Sequence, residues 1–520
     1  MFPKIVLVFI FMIYSTNVES ARILGIFPMP SISHQVVFRA LAIELAKRGH
    51  ELVVLTLNPA FAGQQAPFNI TEIDTSESYA AWAKVLQDGR NQKKLQRGVI
   101  LDINSLFNHE TTKNFMGLFV QQFKLPLFKD KSKKFDLIIV EALMNYILIA
   151  GKIFNAPVIQ MSSYYGSSEN FDVIGAPAWH PLFFPSTYRR KYRNLSLWEK
   201  IQESYQEYYL LRFIKLGEEI ENKLLQDNFG PDAPTVSELQ QQIQMLLLNA
   251  HPIFGNNRPV PPNTVYFGAL HMQPVKDLPQ DLKSYLDNSQ RGVIYVSLGT
   301  NVSPSKMDED FLEAFLQAFE ALPYDILWKF DGDKLDGVPK NVKIHKWFPQ
   351  RDLLMHPNIK LFVMQGGLQS TDEAIDAGVP LVGIPILGDQ WYNVNKYVEL
   401  GVGVEVDALT MTADDLLKSI NEVLSNNDYR KNMKKLREII NDRPMKPLDH
   451  AVWWVEYVIR HGGARHLKPP SANKTWAEYY MLDILIFVGS GIILIAISVV
   501  AVIFKLVTIL KPKSMKLKEN

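Results

Sequence analysis

Apolar residues in this chain fall in short runs, separated by stretches where they recur every three or four positions. That alternation predicts strands and helices in turn. Residues 22–27 read as a buried strand, 33–48 as a helix, Gly49 as its C-cap and 51–57 as the next strand. Runs 135–140 and 156–161 are β-rich and end in polar or small residues, as parallel strands do. The Pro- and charge-bearing stretch 271–289 reads as a linker. From residue 291 a second series begins, with strands expected at 292–299, 325–330, 342–346, 359–364 and 379–384 and a helix at 307–322. Strands alternating with helices predict two doubly wound α/β domains, with ligands bound in the cleft outside the carboxyl ends of their strands. Between Tyr164 and Tyr192, eight aromatics lie among Gly, Pro and Ser. That segment predicts loops, and an apolar ligand pocket and ordinary loop packing are both open.

The two ends carry different patterns. Lys4 precedes an apolar run at 5–14 that gives way to polar and small residues near Ser20, the layout of a secretory signal peptide over 1–20. Residues 484–504 hold 21 positions without a charge, enough at about 1.5 Å per residue to cross a hydrocarbon core. Lys505, Lys511, Lys513, Lys516 and Lys518 follow, so the positive-inside bias places the tail 505–520 in the cytosol and the bulk of the chain in the lumen. Lys516 and Lys518 resemble a dilysine signal for retrieval to the endoplasmic reticulum. Four sequons fit a lumenal chain, at Asn69, Asn194, Asn301 and Asn473. The expected divisions are an N-terminal domain over 21–275, a linker at 276–290, a C-terminal domain over 291–445 and helices over 446–483 that pack back toward the first domain and the membrane.

Composition narrows the chemistry. The 520 residues hold 55 Lys plus Arg against 54 Asp plus Glu, a net charge of +1 that argues against a nucleic-acid partner. There is no cysteine, so disulfides, thiolate metal sites and a cysteine nucleophile are excluded together.

The informative segment runs from Trp347 to Gln390. Gly366 and Gly367 follow a strand and open a helix, which turns backbone N–H groups and the positive helix end toward the strand tip, an arrangement suited to phosphate. Glu373 lies further along the same helix, where a carboxylate can accept bonds from sugar hydroxyls. Trp347 offers a flat face to a base, with Gln350 placed for its edge.

In this order and spacing, Trp347-Phe-Pro-Gln350, Gln365-Gly366-Gly367, Ser370, Glu373 and Asp389-Gln390 resemble the signature of the UDP-glycosyltransferases, most closely their membrane-bound insect-type members. The resemblance spans nearly the whole chain and implies a GT-B fold, two Rossmann-like domains facing a cleft, with a C-terminal transmembrane helix. It implies that Trp347 and Gln350 hold uracil and Glu373 the ribose. Ser297, Thr300, Gly366, Gly367 and Ser370 would take the diphosphate, Asp389 and Gln390 the sugar, and Arg258 would lie near the donor sugar. Asn301 follows Thr300 directly, so a glycan there would crowd the donor.

His34, at the start of the first helix, matches the family's catalytic base, although a lone His there could simply cap the helix. Its usual Asp partner is replaced by Glu141, which ends the run Phe135-Asp-Leu-Ile-Ile-Val-Glu. Gln365 stands where many relatives carry His. It can donate a hydrogen bond but cannot become cationic. Asp331-Gly-Asp333 mimics a metal-binding Asp-x-Asp and reads as a solvated loop. The expected reaction is inverting transfer of a hexose, glucose first, from a UDP-sugar to a hydroxyl of a small lipophilic acceptor, as in detoxification, with neither metal nor cofactor. Expected partners are the UDP-sugar, the acceptor and the bilayer, and a homo-oligomer is compatible. UDP-glucuronate as donor, and a non-catalytic membrane-anchored binder of nucleotide sugars or lipophiles, are the alternatives. The acceptor is expected to be set by loops over roughly 76–122 and 164–214.

Overall fold

A computed structural model describes residues 20–80, 117, 120–130, 132–176, 180–189, 191–386 and 388–510. All but Ser20 of the signal peptide expected at 1–20, much of the segment 76–122 expected to set the acceptor, and residues 511–520 with Lys516 and Lys518 lie outside the described residues.

The first sheet contains β1 (Arg22–Phe27), β2 (Glu51–Thr56), β3 (Ile70–Asp74), β4 (Leu137–Glu141), β5 (Val158–Ser162), β6 (Ile243–Leu248) and β7 (Thr264–Tyr266). Its order is β3-β2-β1-β4-β5-β6-β7, and every pairing is parallel. The second contains β8 (Val293–Ser297), β9 (Asp325–Lys329), β10 (Val342–His345), β11 (Ile359–Met364), β12 (Leu381–Gly383) and β13 (Gly403–Glu405). It runs β10-β9-β8-β11-β12-β13, again all parallel.

Each sheet is covered on both faces, which explains why its central strands are apolar throughout rather than alternating. In β1, Ile23 and Phe27 join one core layer while Leu24 and Ile26 join the other. In β8, Val293 and Tyr295 face one layer and Ile294 and Val296 the opposite one. In both sheets the chain builds outward to one edge, then returns to the other side of its first strand. The resulting switch points lie between β1 and β4 and between β8 and β11. A crevice opens at such a reversal, because the adjoining connections run to opposite faces.

Three elements differ from expectation. The expected linker contains the helix Gln280–Asn288, whose Leu282 and Leu286 are buried in the core of the second sheet. Residues 197–214, expected as loop, begin a 33-residue helix, Leu197–Phe229. A capping box starts it: Ser196 Oγ accepts from Glu199 N–H at 3.3 Å, and a Glu199 carboxylate oxygen accepts from Ser196 N–H at 2.7 Å. The apolar C-terminal helix spans Leu482–Leu510, 29 residues rather than 21, and none of its side chains is buried. It is long and apolar enough to cross a membrane. Before it, the helix Pro447–Arg460 lays Val452, Val455 and Val458 into the core of the first sheet, beside Val37, Leu41 and Leu45 of the helix Ile32–Lys47.

Candidate active site

A cavity of about 1770 Å³ lies where the two switch points meet. Pockets for one drug-sized ligand occupy roughly 300–1,000 Å³, so this volume has room for two.

On the first sheet, His34 sits in the opening turn of the helix that follows β1, and Glu141 is the last residue of β4. The adjacency of β1 and β4 brings them together across 107 residues. His34 Nδ1 lies 2.7 Å from Glu141 Oε1, while Glu141 Oε2 accepts from the Met29 N–H at 3.0 Å. Glu141 is 1% exposed, and both carboxylate oxygens are therefore committed to fixed donors. With Nδ1–H on the carboxylate, Nε2 is the nitrogen left to take a proton. Gln35, buried beside it, went unnoticed in the sequence. Its amide donates to the carbonyls of Phe27 and Met29 at 2.8 and 3.0 Å and accepts from Thr56 Oγ1 at 2.7 Å, fixing the loop that carries His34. A polar residue on the buried face of an apolar helix was the available signal.

On the second sheet, Ser297 ends β8 and Thr300 lies just beyond it, while Gln365 and Gly367 follow β11; all four line the cavity. Gly366 does not line it. Its φ of +95° and a would-be Cβ contact of 2.7 Å with Val394 mark it as the turn itself, a conformation glycine adopts without strain. Its carbonyl accepts from Asn393 Nδ2 at 2.7 Å. Gly367 is the N-cap of the helix Leu368–Ala377, so the helix opening does face the cleft. Trp347 is 63% exposed in the cavity wall, a large aromatic surface open to a stacking partner. Gln350 is more constrained than its expected role suggests. Its amide N–H₂ donates to Ser370 Oγ at 2.9 Å and to Glu373 Oε2 at 2.7 Å, and its oxygen accepts from Tyr295 Oη. Burial raises the Glu373 carboxyl above the usual range, against the Gln350 hydrogen bond. Gln365 Oε1 is buried without a hydrogen-bond partner among the described residues.

Asp389 and Gln390 line the cavity where the two sheets face each other. Burial raises the Asp389 carboxyl, while Asn393 and the nearby His34 pull it down. Asn393, fully buried and also missed in the sequence, joins the halves. Its Oδ1 accepts from Tyr165 Oη at 2.7 Å, and its amide also donates to Asp389 Oδ2 at 3.0 Å. Arg258 lines the cavity, but its guanidinium stacks 4.0 Å from the Phe171 ring centroid and donates to the Phe184 carbonyl. Asp331 accepts from the Ser305 backbone and hydroxyl, while Asp333 pairs with Lys346, so the two carboxylates engage different partners. Asn69, Asn194, Asn301 and Asn473 are all exposed, and Asn301 reaches across the cleft to Ser31 Oγ at 3.3 Å.

The model of the family described as UDP-glucoronosyl and UDP-glucosyl transferase matches residues 22–518. The chain belongs to this family. As a UDP-glycosyltransferase it is 40% identical to the ecdysteroid UDP-glucosyltransferase of Spodoptera littoralis nuclear polyhedrosis virus, over 90% of this chain and 94% of that protein. It is 33% identical to UDP-glucosyltransferase 2 of Dactylopius coccus, over 93% of each. Its fold matches the calicheamicin glycosyltransferase with a TM-score of 0.55 at 17% identity, covering 85% of this chain and 99% of that one. The glycosyltransferase of kitacinnamycin matches equally, over 86% and 100%. The UDP-glycosyltransferase fold is thus GT-B, and its activity is glycosyl transfer from a UDP-sugar.

Proposed function

We propose that the enzyme transfers glucose from UDP-glucose, with inversion and without a metal, to a hydroxyl of a small lipophilic acceptor. The observation that carries the mechanism is the 2.7 Å contact between His34 Nδ1 and the buried Glu141, at the cleft edge facing Asp389. His34 Nε2 takes the proton of the acceptor hydroxyl as its oxygen bonds to the anomeric carbon. The bond from that carbon to the UDP oxygen breaks on the opposite face, and its electron pair leaves with the diphosphate. Glu141 keeps the imidazole in the right tautomer and balances the imidazolium that forms. The strand-end N–H groups around Gly299 and Gly367, together with the helix opening, would stabilise the leaving diphosphate.

Uracil would stack on Trp347, with Gln350 and Glu373 at the base edge and ribose, Ser297, Thr300 and Ser370 near the phosphates, and Asp389 and Gln390 on the sugar. Arg258, held on Phe171 and Phe184, would shape the wall near that sugar rather than grip it. Two relatives named as UDP-glucosyltransferases support glucose over glucuronate. The viral relatives are named for an ecdysteroid, which fits the lipophilic class, as do Met29, Leu143, Met144 and Phe171 in the cavity wall. A lumenal catalytic portion anchored in the endoplasmic reticulum, and conjugation of lipophiles for disposal, complete the proposal. The test is purified full-length enzyme with UDP-glucose, UDP-glucuronate and a panel of phenols and aliphatic alcohols. A β-glucoside formed from UDP-glucose is expected; retention of the donor's α configuration would refute inversion, and products from UDP-glucuronate alone would refute glucose.

A further inference from the structure

Lys329 ends β9, directly beside Ser297 in the register of β8, and so stands at the strand edge from which the Gly299–Thr300 loop departs. Its Nζ donates to the Gly299 carbonyl at 2.8 Å and lies 4.8 Å from the centroid of the Trp347 ring. The side chain lines the cavity and is half-buried. Among the described residues it forms no ion pair. Asp331 acts on it only at longer range, with both carboxylate oxygens accepting from Ser305. Of the other cleft cations, Arg351 pairs with Asp376 at 2.9 Å and Arg189 with Glu207, while Lys306 lies exposed to solvent. A half-buried ammonium held between a carbonyl and an aromatic face, with no carboxylate in ion-pair contact, is an electrostatic deficit that an anionic ligand would relieve. The same wall carries the acids Glu373 and Asp389 and, at residue 365, an amide that cannot become cationic.

We infer that Lys329 is the cation that binds the phosphate of the UDP donor. The inference rests on the donor-site reading above. Burial holds the Lys329 ammonium below the ordinary lysine range, consistent with a group whose charge is incompletely solvated until an anion arrives.

The test measures binding of uridine, UMP and UDP to full-length enzyme in detergent, for wild type, Lys329→Met and Lys329→Arg, with thermal melts to check folding. Loss of one charge-assisted hydrogen bond corresponds to about a 10- to 100-fold weakening. Lys329→Met should therefore weaken UDP and UMP by about that factor, leave uridine nearly unchanged and raise the KM of the UDP-sugar but not of the acceptor. Lys329→Arg should restore most of the phosphate affinity. Unchanged UDP affinity in a folded Lys329→Met protein overturns the inference. Equal losses for uridine and UDP also overturn it, because the residue would then act only through Trp347. Wild type that fails to bind UDP would instead sink the donor-site reading itself.

Discussion

Replacing Glu141 by Gln changes one atom type at a site where both carboxylate oxygens are in use. Oε1 faces His34 Nδ1 at 2.7 Å and Oε2 accepts the Met29 N–H at 3.0 Å. A carboxylate can accept both bonds, whereas an amide has one oxygen and one N–H₂ group. One contact must then become donor against donor. If the oxygen stays on Met29, the imidazole loses the acceptor that holds its proton on Nδ1, and the tautomer with Nε2 protonated cannot act as a base. If the oxygen stays on His34, the strain falls on the loop carrying it. Leaving a buried donor unsatisfied costs about 1–3 kcal/mol. At about 1.4 kcal/mol per tenfold, kcat should fall roughly 5- to 150-fold. The KM for the UDP-sugar should hardly move, because Glu141 lies on the first sheet and Trp347, Ser370 and Glu373 on the second. Initial rates of UDP release at saturating acceptor, with a thermal melt as folding control, measure both quantities. Glu141→Asp keeps the charge and should recover part of the loss. A folded Glu141→Gln enzyme with wild-type kcat, or one impaired only in donor KM, would refute the pairing.

His34→Ala should lower kcat by about 10²- to 10⁴-fold while UDP binding, read by calorimetry, stays intact; retained turnover removes the base assignment. Trp347→Ala should weaken UDP by roughly 5- to 150-fold, the value of one base stacked on an aromatic ring, and an unchanged affinity would move uracil elsewhere. Burial pushes the Glu221 carboxyl up to about 8, so the folded chain keeps a proton that the unfolded chain releases above its ordinary value near 4.5. Stability should therefore decline as pH rises from about 5 to 8, and Glu221→Gln should flatten the slope of Tm against pH in that window; parallel slopes would count against it. Chelator should leave transfer intact, whereas loss reversed by Mn²⁺ would assign a metal to Asp331 and Asp333.

The parts of this molecule that were legible in its sequence are those whose signal is local. β1, its helix and β2 were visible because an apolar run, a helical spacing and Gly49 follow one another without interruption. The segment from Trp347 to Gln390 was visible because most of the donor-side residues lie close together within it. The helix Leu197–Phe229 was obscured because its first turns bury little and expose Leu197, Trp198 and Tyr205, so no core-facing stripe marks it. The helix Gln280–Asn288 was hidden by the surrounding Pro and charge, and only Leu282 and Leu286 betray it. His34 and Glu141 could be paired only through the family resemblance, since strand order, not spacing, makes them neighbours. Gln35, Asn393 and Lys329 belong to no motif. Gln35 showed only as a polar residue on an apolar helix face, while Asn393 and Lys329 matter through partners that other strands and loops supply.

Of these three, Asn393 is the one that joins the two switch points. Asn393 receives Tyr165 from the first half and holds both Asp389 and the Gly366 carbonyl in the second. Gln369 donates to the Ser163 carbonyl at 3.0 Å, and Tyr192 stacks on Tyr392 with centroids 4.9 Å apart. The wall that would hold the sugar is therefore fixed against the loop after β5, on the same sheet that carries the base. His34 and Asp389 interact electrostatically across this junction. In the proposed reaction, proton transfer makes His34 cationic between Glu141 and Asp389. The charge that favours ionised Asp389 would thus arise as the glycosyl bond breaks, which strengthens its grip on the sugar hydroxyls at the transition state rather than in the ground state. In that reaction, a junction built from buried hydrogen bonds would allow that timing, because both groups must keep their separation while the proton moves.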